Sequence, residues 1–174
     1  MGGAINIKAT GETARPILDL WSRAESFEEM PSMAALGYPP HFTFAIYDEI
    51  APDVLRQAMR ETFSNQPRLS ITFTGIRCFE AVPLVLWAAP GDASDLQRLH
   101  ALVHARLDPA RCREYYRPGA WVPHCTLAMR VAEDRTAAAR SFAEDPIEPF
   151  EVIFDMADCV TFPPLAVAEE CALG

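Results

Sequence analysis

No two of the five cysteines in this 174-residue chain are spaced as C-x-x-C. Cys78, Cys112, Cys125, Cys159 and Cys171 are odd in number and far apart, which fits neither a disulfide framework nor a zinc knuckle. A reduced, cytoplasmic setting is the expectation. No apolar run approaches membrane-spanning length, and the N-terminus passes into a strand-like Ala4-Ile5-Asn6-Ile7-Lys8 without the basic-then-apolar run of a signal peptide, so a soluble protein is expected. Asn6 stands where an N-myristoylation motif needs Ser or Thr. Positive charge is scarce: 15 Lys and Arg against 24 Asp and Glu give a net charge of −9. Such a chain repels polyphosphate at long range, so no long nucleic acid is expected as a partner, while a small anion held by a few local groups remains compatible. Metal-ligand patterns are equally thin. His100 and His104 lie one helical turn apart, a spacing that can bind zinc, but no Glu follows His100 and no third ligand stands near. They read as the polar edge of a helix whose apolar stripe is Leu96, Leu99, Val103 and Leu107. No metal and no cofactor is called for.

Half of the residues are hydrophobic and 22% are charged, which is the composition of a packed globule that folds by burial. Apolar residues at helical spacing predict a helix over 12–30, stopped by Pro31, and others over 52–63, 94–107 and 134–143. Alternation predicts strands at 4–8, 41–47, 69–79, 83–88, 124–131, 151–160 and 165–168. Two long loops, 31–40 and 110–123, deliver the chain into 41–47 and 124–131. The pattern contains a repeat. His41, Thr43 and Ala45 recur as His124, Thr126 and Ala128 at an offset of 83 (124 − 41), and Phe73, Cys78, Pro83 and Leu84 recur as Phe154, Cys159, Pro164 and Leu165 at 81 (154 − 73). Residues 1–174 therefore read as one bilobal domain whose copies run approximately 41–89 and 124–172, with equivalent residues facing a shared cleft.

On a strand, residues two apart share a face. His41 and Thr43 then share one face, with Phe42, Phe44 and Ile46 on the other; His124, Thr126 and Ala128 repeat this, with Cys125, Leu127 and Met129 opposite. Cys125 thus reads as core. A symmetric pair of imidazoles suits a reaction that removes a proton on one side and delivers one on the other near neutral pH. Phosphodiester cleavage has that form, and hydroxyls at Thr43 and Thr126 are placed to receive charge on the non-bridging oxygens. Trp121, Tyr38, Tyr115 and Tyr116 lie on the loops before the motif strands, where an aromatic stacks a base or packs inward; Trp121, three residues before His124, is the first candidate. Arg111, Arg113 and Arg117 give the second loop a basic run.

The segments Pro40-His41-Phe42-Thr43-Phe44 and Trp121-Val122-Pro123-His124-Cys125-Thr126-Leu127-Ala128 resemble the two motifs of the 2H phosphoesterase superfamily, in particular its bacterial 2′-5′ RNA ligase-like branch. The resemblance implies an α+β, bilobal fold with two pseudo-symmetric lobes of mostly antiparallel sheet, helices on the outer faces and a central cleft. It implies metal-independent action on 2′,3′-cyclic phosphates or 2′-5′ linkages, on a small nucleotide or a short RNA end. His41 and His124 would be the catalytic acid/base pair, and Thr43 and Thr126 would bind phosphate. Many relatives follow the second motif closely with a basic residue; here Arg130 comes later, and by alternation shares the His124 face. RNA 2′-5′ end-joining and non-catalytic nucleotide binding are the alternatives.

Overall fold

The computed structural model describes Met1–Gly174. Eight strands form two antiparallel sheets. The first contains β1 (Gly2–Lys8), β2 (His41–Tyr47), β7 (Met156–Phe162) and β8 (Ala166–Ala172) in the order β2-β1-β7-β8. The second contains β3 (Leu69–Phe79), β4 (Val85–Pro90), β5 (Cys125–Ala128) and β6 (Phe150–Phe154) in the order β5-β4-β3-β6. The expected α+β architecture with two lobes is what forms.

Helix α1 (Arg15–Ala24) begins with Pro16 in its first turn and buries Ile17, Leu20 and Ala24, the stripe its spacing predicts. It stops at Ala24. The remainder of the expected 12–30 helix becomes a 3-10 turn and then an isolated bridge from Glu28 to Val131, and α2 (Ser32–Leu36) adds one helical turn to the expected loop. Helix α3 (Pro52–Phe63) buries Leu55, Ala58, Met59 and Phe63 against the first sheet. Helix α4 (Ser94–His104) lies behind β2, and α5 (Thr136–Glu144) lies on β3. One hydrophobic cluster includes Ile5 and Phe42 of the first sheet and Phe73 and Leu86 of the second, so the lobes share a core.

Strand order sets the equivalence between the copies differently from the spacing of 41–89 and 124–172. Each motif strand is an edge strand; its neighbour is β1 in one sheet and β4 in the other, and the third strand is β7 or β3. Gly2, opening β1, and Val85, opening β4, are again 83 apart (85 − 2). The repeated unit is thus strand, helix, motif strand, helix, long strand, and the long strand crosses into the other copy's sheet. In the second copy the crossing happens at Asp155, which divides the expected 151–160 strand into β6 on one sheet and β7 on the other.

Both motif strands carry a bulge directly after the threonine. Ile5 pairs with Ala45 and Asn6 with Thr43, leaving Phe44 extra; Leu86 pairs with Ala128 and Trp87 with Thr126, leaving Leu127 extra. A bulge resets the side-chain alternation. Ala45 and Ala128 therefore join Phe44 and Leu127 in the core, and Ile46 turns to the opposite side, against Tyr38.

Candidate active site

Strands β2 and β5, edges of different sheets, lie beside each other and bring the two motifs together. The bulges leave the threonine carbonyls outside the sheet ladders, and each carbonyl is taken by a tryptophan: Trp121 Nε1 donates to Thr43 O and Trp21 Nε1 to Thr126 O, both at 3.0 Å. Trp121 is 6% exposed, stacked on His100 with centroids 4.3 Å apart and planes 4° from parallel. A ring packed this way has no face left for a base, so Trp121 braces the motif strand where the sequence made it the first candidate for stacking.

The two imidazoles are held alike. His41 Nδ1 lies 2.9 Å from Pro39 O and His124 Nδ1 lies 2.7 Å from Val122 O, each carbonyl two residues upstream. A carbonyl only accepts, so each Nδ1 carries hydrogen and each Nε2 is the atom available for proton transfer. Aromatic edges steady both rings: Tyr38 meets His41 at 4.8 Å and 78°, and Phe79 meets His124 at 5.0 Å and 89°. Burial lowers both imidazoles from their ordinary value. At His41 that lowering is opposed by the Pro39 carbonyl and by the Asp158 carboxylate, and His124 and Lys8 add to it. Charge on either ring thus disfavours charge on the other.

The walls beside the pair differ. In the first sheet Asp158, fully buried, accepts from Tyr38 Oη at 2.6 and 2.7 Å, from Asn6 Nδ2 at 3.0 Å and from Lys8 Nζ at 2.8 Å. Lys8 also pairs with Glu170. Burial lowers the Lys8 ammonium, but the carboxylates of Asp158 and Glu170 outweigh it and the net direction is upward. The carboxylate fixes the Asn6 amide, whose Oδ1 therefore faces Thr43 and accepts a hydrogen bond from its hydroxyl at 2.8 Å. Thr43 must turn from Asn6 before it can donate to a phosphate, whereas the Thr126 hydroxyl is engaged by no side chain. Tyr38, 8% exposed, is part of this network rather than a ring open to a base. Asn6, Lys8 and Asp158 were missed in the sequence because nothing near the motifs signals them; polar residues within β1 and β7, strands that are otherwise largely buried, were the available sign.

Arg130 lies beyond the end of the motif strand. Strand β5 ends at Ala128, and the Arg130 backbone N–H is held by Glu28 at 2.8 Å while its side chain is exposed. The arginines of 111–117 are committed locally: Arg111 to Glu49 O, Arg113 to Asp48, and Arg117 to the Cys112 and Ala110 carbonyls. His100 and His104 are buried rather than on a polar edge, donating from Nε2 to Tyr116 O and Phe44 O at 2.8 and 3.3 Å. Burial pushes His100 down to about 4. Cys125 is 1% exposed, and burial pushes its thiol up to about 12, which suits core and not a nucleophile. No group of three or more His, Cys, Asp or Glu side chains is arranged to hold a metal ion, and no helix is long and apolar enough to cross a membrane.

Residues 16–161 match the family model described as the 2′-5′ RNA ligase superfamily. Among curated proteins none gives a match. Similar solved structures include Escherichia coli LigT complexed with 3′-AMP, with 16% identity over 98% of this chain and 97% of that one, at TM-score 0.65. The Thermus thermophilus protein TT0787 has 19% identity over 99% and 98%, at TM-score 0.64. LigT complexed with ATP has 14% identity over 99% and 97%, at TM-score 0.63.

Proposed function

The chain belongs to the 2′-5′ RNA ligase superfamily, and from that premise we propose that it is a metal-independent phosphoesterase acting on 2′,3′-cyclic phosphates or 2′-5′-linked nucleotides through His41 and His124. The observation that carries this reading is the matched tethering of the two rings, each with Nδ1–H bound to the carbonyl two residues upstream and Nε2 left for chemistry. One Nε2 takes the proton of the attacking water or hydroxyl. As its oxygen bonds to phosphorus and the P–O bond to the leaving oxygen breaks, the other Nε2 gives its proton to that oxygen. The Thr126 hydroxyl, and Thr43 once turned from Asn6, donate to the non-bridging oxygens. The two rings exchange roles in the reverse direction, so the same groups would join a cyclic phosphate end to a hydroxyl; end-joining is the second reading, on the same chemistry.

The test is a screen of 2′,3′-cyclic nucleotides and 2′-5′ dinucleotides, run beside the His41→Ala protein. Turnover by the wild type with loss of at least ~10²-fold in the variant is expected. Binding without turnover of any of them would favour a nucleotide-holding module.

A further inference from the structure

The cleft has two walls built on the same plan and charged differently. Across the first sheet, in register, run Thr43, Asn6, Asp158 and Glu170; across the second run Thr126, Trp87 and Arg77. Directly paired residues project from the same face of a sheet, so Asn6 and Trp87 hold corresponding places, and so do Asp158 and Arg77. The first row is closed on itself: its polar groups bond to one another and to Lys8, with one cation against two carboxylates. The second row is open. Arg77 lines a cleft of about 890 Å³ with Phe79, Trp87, Val122 and Pro123, the last two leading directly into His124. Two carboxylates line the same cleft: Glu80 is taken by both prongs of Arg140 at 2.6 and 3.0 Å, Glu144 is held by no cation, and neither is paired with Arg77. Between Arg77 and Thr126, Trp87 Nε1 is a buried donor with no acceptor, an arrangement that is unfavourable unless something supplies one.

We infer that Arg77 and the wall around it form a second phosphate subsite, for a phosphate other than the one attacked, so that the preferred substrate carries two phosphate groups. This rests on the phosphoesterase reading of the His pair. Strands are spaced ~4.8 Å apart, so Arg77, two strands from Thr126, is about 10 Å away at the backbone, and the buried Trp87 ring stands between them in register, which favours contact with a phosphate beyond the one between the imidazoles. A guanidinium matches a phosphate with two parallel N–H donors and keeps its charge at any working pH. The corresponding row of the first sheet, with its extra carboxylate, offers no such site. The substrate thereby acquires a direction: its scissile phosphate lies between His41 and His124, and its further phosphate extends across β4 and β3, over the stacked Phe79 and Trp87 rings, whose centroids are 4.9 Å apart.

The test compares adenosine 2′,3′-cyclic phosphate bearing a 5′-hydroxyl, the same compound bearing a 5′-phosphate, and an adenylyl dinucleotide ending in the cyclic phosphate. The wild type should favour the compounds with a second phosphate by about tenfold or more in kcat/KM. That ratio should fall toward one in Arg77→Gln and below one in Arg77→Glu. A gain confined to the 5′-phosphate identifies a terminal phosphate as the occupant, and a gain confined to the dinucleotide identifies the next linkage of an RNA end. Calorimetric titration with adenosine 3′,5′-bisphosphate against adenosine 3′-monophosphate reads the subsite without turnover. A tenfold preference for the bisphosphate that Arg77→Gln abolishes would sustain the subsite even if no cyclic compound were cleaved, in which case the phosphoesterase reading alone would fail. Equal turnover of the three compounds by the wild type, with equal binding of both adenosine phosphates, would overturn the subsite and leave that reading standing. A ratio unchanged in both Arg77 variants would overturn it as well.

Discussion

Replacing Trp121 by Phe tests whether this ring braces the site or binds substrate. The substitution keeps an aromatic ring but removes the indole N–H that satisfies Thr43 O at 3.0 Å, and a buried acceptor left alone costs about 1–3 kcal/mol. The close parallel stack on His100 is also weakened, for about 0.5–1.5 kcal/mol. Together these come to about 2–4 kcal/mol, and in a chain of this size each kcal/mol lowers Tm by ~2–4 °C, so a fall of about 5–15 °C is expected. The released carbonyl lies at the bulge that aims Thr43, so kcat should fall while KM changes little. Urea denaturation, a thermal scan and steady-state kinetics on the cyclic nucleotide that turns over best measure all three. The Trp21→Phe protein is the natural comparison, since that indole serves Thr126 O but is only half-buried. A Trp121→Phe protein within about 0.5 kcal/mol of the wild type, with a raised KM and unchanged kcat, would refute the bracing role and restore a stacking one.

Lys8→Met should cost roughly 3–5 kcal/mol in urea denaturation, because it leaves the Asp158 carboxylate buried without its cation, and Lys8→Met with Asp158→Leu should cost less than the single change; a single change costing under about 1 kcal/mol would show that the ion pair contributes nothing. The pH profile of kcat/KM should be a bell displaced to the acid side of ordinary imidazole, since burial lowers both His41 and His124 from 6.5; a basic limb well above neutrality would contradict the assignment. Folding stability should be full above pH 6.5 and decline toward pH 4, because the unfolded chain protonates its histidine first while His100 stays neutral down to about 4, a loss on the order of 3 kcal/mol that denaturation at stepped pH would read. Activity should survive exhaustive chelation, as imidazole protons and hydroxyl dipoles do the work; loss on chelation with recovery on added zinc or manganese would point to metal-assisted hydrolysis.

The motif strand at His41–Tyr47 and helix Pro52–Phe63 were legible to the residue, because aromatic and β-branched residues fill the strand between turn signals and a 3.6-residue stripe runs through the helix. The bulges were not. Their extra residues, Phe44 and Leu127, sit beside Ala45 and Ala128, all apolar, so an inserted residue leaves no mark on the hydrophobic pattern. That hidden shift is what moved Ala45 and Ala128 off the face that simple alternation gives them, and Arg130 lies beyond the strand's end. The repeat was visible in the motifs, but its frame was not, since the first copy begins at β1 and the exchange of β3 and β7 between sheets is a fact of pairing rather than of local sequence. Polar contacts across long separations were illegible for the same reason: Asn6 and Lys8 meet Asp158 over about 150 residues, and Trp121 meets a carbonyl 78 positions away. His100 and His104 show the converse, since two polar side chains at helical spacing read as a surface edge until backbone carbonyls from another element arrive to bond them.

The central claim is that two imidazoles act as one catalytic unit, and kinetics of His41→Ala, His124→Ala and the double variant on one 2′,3′-cyclic nucleotide test it most directly. Each single change should lower kcat/KM by ~10²-fold or more, and the double change far less than the product of the two, because either ring alone leaves half of the proton transfer undone. Full activity in either single variant would contradict the account.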